Sequence, residues 1–248
     1  MNVNYSMAES KTSERLTDQQ LALQWEIIDW VKVEKQVNRL QFRIAKATIN
    51  KKYNEIKRLQ YLLTHSYHAK LLAVKKVTTN KGKNTPGVDG ELWKLPSDKM
   101  KAVHRLTDKG YKAKPLRRVY IEKKGKKEKR PLGIPTMYDR AMQALYALAL
   151  DPVSESTADK RSFGFRKGRS GHDACEYIFT AMSKKNGAKW VLEGDIKGCF
   201  DNISHDWLIQ NIPMDKSILR QFLKAGFVFK RDLFPTEDGT PQGGLCVA

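Results

Sequence analysis

A mixed α/β fold, with a helical block followed by hairpins and shorter helices, is what this 248-residue chain predicts. Three observations support it. No Gly or Pro occurs before Gly82, and apolar residues there recur at spacings of three and four. From residue 79 the texture turns to Gly, Pro and Asn, with short β-prone runs between helical ones. One such run, Trp190–Leu192, leads into Asp195 and then Gly198, as a strand does when it ends on a carboxylate and turns into a helix.

Residues 1–15 are read as a disordered polar tail. The helical block of residues 16–80 follows. Trp30, Val33, Val37, Leu40, Ile44 and Ala47 form one apolar stripe on a long helix, with Gln41 and Arg43 off the stripe. Ile56, Leu59, Leu62 and Leu63 mark a second helix; Leu71, Leu72, Val74 and Val77 mark a third. Trp25 and Trp30 read as core or docking residues. TTNKGKNTPGVDGELW is a loop carrying Lys81 and Lys83 near its tip. A β-hairpin comes next: one strand at Arg117–Glu122, a turn near Gly125, and the return at Lys129–Ile134. DRAMQALYALALDPV predicts a helix stopped by Pro152. A basic loop then feeds a helix starting near His172. Beyond the Asp195 turn, Ser204 can cap a helix from about His205, and a second helix covers roughly Lys216–Ala225. FVFKRDLFPTEDGTPQGG reads as a hairpin-like segment ending in glycines.

Composition narrows the function classes. Lys and Arg number 46 against 27 Asp and Glu, a net charge of +19 with pI near 9.8, which points to a polyanionic partner, chiefly nucleic acid. Residues 109–130 hold eleven cations and two acids around a strand-like VYI, a concentration that favours nucleic acid over a merely solvated face. No apolar run reaches about 18 residues, and no helix pairs a wide apolar face with a uniformly basic one, so no membrane partner is expected. The N-terminus lacks the apolar stretch of a signal peptide. Cys175, Cys199 and Cys246 are scattered, without a C-x-x-C, which argues against zinc or disulfides and for a reducing cytoplasm.

Several motifs carry chemistry. A carboxylate at a strand end is rigidly placed and suits a divalent cation with its phosphate ligands, although a turn whose Asp only caps amides would look the same. A hairpin with paired cations can fold over a triphosphate and neutralise it. Arg166, Lys167 and Arg169 can meet a phosphate backbone, and the helix start after Ser170 adds partial positive charge. His172 reads as a residue of a helix start, and Asp201 as one that bonds backbone in its turn. GTPQGG is a tight turn whose glycines allow close approach.

In order, RLQFRIAKA (39–47), NKGKNTPGVDG (80–90), RRVYIEKKGKKEKRPLGIPT (117–136), SFGFRKGRSGHDA (162–174), GDIKGCFDNISH (194–205) and GTPQGG (239–244) make the chain resemble group II intron reverse transcriptases of the bacterial maturase type, from about Trp25 to Gly244. The resemblance implies an RNA-binding extension at 16–80, fingers at 81–149 and 208–244, a partial palm at 150–207, and a truncated end at 245–248. It implies that Asp195 and the Ile196 carbonyl hold Mg²⁺, that Lys123 and Arg130 grip the triphosphate, that Phe200 excludes a 2′-hydroxyl, and that Gln242 contacts the incoming nucleotide. Arg117, Arg118, Arg166, Lys167, Arg169, Lys81 and Lys83 would meet RNA or template. Implied partners are intron and template RNA, a DNA primer and deoxynucleoside triphosphates, with room for a homodimer. Glu122 stands where the family often has Pro. The sequence stops at Ala248 without the family's Tyr-Ala-Asp-Asp, and two-metal transfer needs carboxylates holding ions about 4 Å apart. The expectation is an N-terminal portion of an RNA-directed DNA polymerase and maturase that does not polymerise alone. The alternative is an intron-RNA-binding module without catalysis.

Overall fold

The computed structural model describes residues 16–122, 125, 129–187 and 189–240; the expected disordered tail and the end of the chain lie outside them. Helices come first: α1 (Asp18–Glu26), α2 (Trp30–Ile49), α3 (Tyr53–Thr64), α4 (Tyr67–Thr79) and α5 (Pro96–Arg105). The strands β1 (Leu116–Glu122) and β2 (Lys129–Ile134) precede α6 (Met137–Thr157) and α7 (Gly171–Met182). The short α8 (His205–Asn211), α9 (Lys216–Leu223), β3 (Phe227–Phe229) and β4 (Asp232–Phe234) complete the described fold.

The predicted stripe packs as expected. Val33, Val37, Ile44 and Ala47 are buried, as are Leu59, Leu63, Val74 and Val77, while Leu62 stays exposed. These faces close on α6, which is apolar nearly all round and forms the axis of the core against α2, α3 and α4. Trp25 meets Trp30 edge-on at 5.1 Å, and Lys75 sits over Trp30, as a docking pair should. The α5 helix was not foreseen, although Pro96 at its first turn and apolar Met100 and Val103 mark it.

Pro152 lies inside α6 instead of stopping it. Proline removes the N–H that would bond the carbonyl of residue 148. Gln41 on α2 supplies the missing donor, its side-chain amide bonding the Leu148 oxygen at 2.7 Å, and Gln60 on α3 adds a bond to the next carbonyl, Ala149, at 3.3 Å. A neighbouring helix thus satisfies the carbonyl that the proline would leave bare.

The sheet runs β2-β1-β3-β4. The hairpin is antiparallel with Val119 opposite Leu132, and β3 joins β1 in parallel at Leu116–Phe227. Phe227 and Phe234 stack at 5.1 Å across β3 and β4. The expected strand at Trp190–Leu192 is absent. That stretch has no regular structure, with Trp190 93% and Leu192 96% exposed. A strand persists through ladder bonds, and no described strand lies beside this one to make them. α7 likewise buries none of its residues, leaving Ile178 and Phe179 exposed.

Candidate functional site

The turn after Asp195 is tight for a local reason. Gly198 takes φ 62°, a left-handed conformation that L residues avoid, and a single 3-10 turn, Cys199–Asp201, follows. Asn202 fastens it by donating to the Gly198 carbonyl at 2.9 Å. The turn-bonding role expected of Asp201 therefore belongs to Asn202; the Asp201 carboxylate makes no hydrogen bond among the described residues. Ser204 caps α8 through the Trp207 amide. Asp195 itself is exposed, one oxygen accepting from the Ile196 amide at 2.9 Å.

The segment entering the glycine-rich motif docks on this turn. The Thr240 amide donates to Phe200 O at 2.7 Å and the Gly239 amide to Ile203 O at 2.9 Å. From below, Nε2 of buried His205 bonds the Gly239 carbonyl at 2.7 Å. His205 carried no recognisable chemical signal in the sequence, yet it ties two motifs 34 positions apart. Gln242 lies outside the described residues.

On the hairpin, Arg130 is exposed opposite Ile121, and Lys123 lies outside the described residues. Glu122 pairs with Lys129 at 3.7 Å, an exposed contact of small energetic weight. Among the described residues no hydrogen bond, ion pair or ring contact links Arg130 to Asp195. Arg117 and Arg118 point their charge into the fold. Arg117 donates to the Pro86 carbonyl at 3.0 Å, and the Arg118 guanidinium covers the Phe227 ring at 3.8 Å.

The loop bearing Lys81 and Lys83 is clamped from underneath. Arg140, 6% exposed at the start of α6, donates to Gly82 O at 2.9 Å, Thr85 O at 2.5 Å and Pro135 O at 3.0 Å. Burial and then the Arg117 charge hold its pKa below the usual arginine range. Gly87 touches the backbone of Thr136, where an added Cβ would come within 2.6 Å of Cα. Lys81 and Lys83 are left exposed on a fixed backbone.

The basic loop before α7 is more self-contained than its charge suggests. Arg166 forks onto Glu155 and also donates to the carbonyls of Asp159 and Ser162, and Lys167 pairs with Asp151. The Arg166 bond holds Glu155 below the usual carboxylate range. At the start of α7, Asp173 closes a capping box with Ser170, which lowers its pKa and sets a negative charge at that helix end. Arg169 and His172 are exposed.

A two-metal centre is not assembled by the described residues. Asp195 offers one carboxylate, and no group of three or more His, Cys, Asp or Glu among them could hold an ion.

A cleft of about 620 Å³ lies elsewhere, behind the clamped loop, between α5, the 107–114 segment and the start of α6. Asp139 on its floor accepts from Thr136 at 2.6 Å and Tyr111 at 2.7 Å. Burial nonetheless pushes its carboxyl above the ordinary value of 3.8. No helix among the described residues is long and apolar enough to cross a membrane.

Comparison with known proteins gives two family matches. Residues 25–106 match the N-terminal domain of reverse transcriptase, and residues 121–247 match reverse transcriptase (RNA-dependent DNA polymerase). The group II intron-encoded protein LtrA of Lactococcus lactis subsp. cremoris is 38% identical over 182 residues, 70% of this chain and 30% of that protein. Protein YkfC of Escherichia coli K12 is 33% identical over 187 residues, 70% of this chain and 49% of that one. Nuclear intron maturase 2, mitochondrial, of Arabidopsis thaliana is 28% identical over 109 residues, 42% of this chain and 14% of that one. The chain thus spans 30% of the length of the first relative and 49% of the second.

Proposed function

The chain belongs to the reverse transcriptase (RNA-dependent DNA polymerase) family, and on that footing we propose that it is the N-terminal portion of a group II intron-encoded reverse transcriptase and maturase, which binds intron and template RNA. The observation that carries the reading is the docking of Gly239–Thr240 on the Phe200–Ile203 turn, which brings together two motifs that are remote in sequence. The net charge of +19 and the fixed loop presenting Lys81 and Lys83 add the polyanion-binding side.

In the whole protein the reaction would add deoxynucleotides to a DNA primer on an RNA template. Phe200 would stand under the incoming sugar, Arg130 and Lys123 would neutralise the triphosphate, and Gln242 would orient it. Reverse transcriptases are generally metal-dependent, and Asp195 with the Ile196 carbonyl would give Mg²⁺ part of its ligand set. Among the described residues Asp195 is the one carboxylate in that set. The same residues would be grouped as helical extension, fingers and partial palm, acting in the cytoplasm.

That lone carboxylate is also what favours a second reading, an intron-RNA-binding module without catalysis. Filter binding of RNA across a salt series, with wild type and Asp195→Ala, tests both together with primer extension on poly(rA) with dTTP and Mg²⁺. Salt-sensitive binding that survives Asp195→Ala, without synthesis, is the expected result. Robust synthesis by the purified chain refutes the incomplete-site reading, and lack of RNA binding refutes both.

A further inference from the structure

We propose that the cleft behind the clamped loop is a second nucleic-acid subsite, which takes one unpaired nucleotide of an RNA strand. The inference rests on the RNA-binding reading above and adds a site to it. At about 620 Å³ the cleft is of the size that encloses small ligands. Its apolar lining combines Leu92 and Ala102 with three aromatic residues. Trp93 is half-buried against the core, and Tyr111 and Tyr138 stack at 6.1 Å with 26° between their planes. Planar rings beside cations are how single-stranded bases are held without pairing.

The charges sort in favour of a phosphate. Of the acids, Asp89 pairs with Lys114 at 3.2 Å, Asp98 accepts from the Leu95 amide, and Asp139 is buried and bonded by Thr136 and Tyr111. Lys101 is taken up by Asp18 at 2.6 Å. What remains without an ion pair among the described residues is Arg105, Lys109 and Lys112 against Glu91 and Asp98, a surplus of one positive charge. The rim therefore offers a net cationic arc above an aromatic wall, the arrangement that seats a base below and its phosphate at the mouth.

Position strengthens the inference. Thr136, whose backbone Gly87 touches, also lines the cleft. The loop that carries Lys81 and Lys83 and the cleft thus share Thr136 as a common wall.

The test uses the whole chain with single-stranded RNA carrying 2-aminopurine, a matched duplex, and adenosine monophosphate. Wild type should quench the fluorescent base in the single strand more than in the duplex. Lys109→Glu with Lys112→Glu should weaken single-strand binding about tenfold and abolish the quench. Lys81→Glu with Lys83→Glu should weaken binding while preserving the quench at saturation. Trp93→Leu should lose the quench and keep the salt dependence. If wild type binds RNA but the Lys109 and Lys112 pair changes neither affinity nor quench, the subsite is overturned and the RNA reading stands. If wild type binds no RNA, both fall. If adenosine monophosphate displaces the quench as tightly as the strand does, the pocket serves a free nucleotide and the strand assignment is overturned.

Discussion

Replacing Arg140 by Met tests whether the Lys81–Lys83 loop is held by the core or merely rests on it. The guanidinium makes two hydrogen bonds to loop carbonyls, at 2.9 Å to Gly82 and 2.5 Å to Thr85. Hydrogen bonds to charged groups contribute about 1.5–3 kcal/mol each, so losing two sets an upper range of about 3–6 kcal/mol. Opposing terms reduce it. The guanidinium is desolvated and repelled by Arg117, which its lowered pKa registers, and Met fills part of the space. We expect a net loss of about 2 kcal/mol, concentrated in the loop because the two lost bonds anchor it. Limited trypsin digestion at Lys81 and Lys83 reads this directly. When reclosing outpaces cleavage, the cutting rate follows the open population, so about 2 kcal/mol corresponds to about thirtyfold faster cleavage. Cutting at the wild-type rate, in a variant whose melting temperature has fallen, would show that Arg140 serves α6 alone. The clamp would then be refuted.

Three further outcomes follow from the same structure. Gly87→Ala should cost about 1–3 kcal/mol in urea unfolding, since its Cβ meets backbone that cannot rotate away; an unchanged midpoint would contradict the close approach. Gln41→Ala should cost about 1–3 kcal/mol in the natural chain but much less beside Pro152→Ala, where the restored N–H bonds Leu148, and equal costs in both backgrounds would exclude the substitution of donors proposed for α6. Asp139 holds its proton more tightly when folded than when unfolded, so the folded state binds more protons above 3.8 and stability declines as pH rises through the raised value. Asp139→Asn should flatten that decline in melting temperature, measured from about pH 4 to about pH 7, and an identical slope would reject the assignment.

The division between sequence and structure can be traced residue by residue. The α2 stripe, the hairpin strands and the Ser204 cap were legible because each depends on neighbours within a few positions, where spacing and capping chemistry speak directly. Asp195 and Phe200 could be singled out for the same reason, as a turn pattern of fixed length. Pro152 does not end its helix because the donor that replaces its N–H comes from Gln41, far away in the chain. Trp190–Leu192 has the composition of a strand but not its structure, since a ladder needs a partner that composition cannot provide. Arg117, Arg118 and Arg166 looked like free cations, and the folded chain occupies each with a carbonyl, a ring or a carboxylate. Local chemistry thus determined which groups this chain carries and in what order. Long-range contact alone decided which of them are already engaged, because a hydrogen bond or ion pair is settled by distance in space, and sequence separation does not encode it.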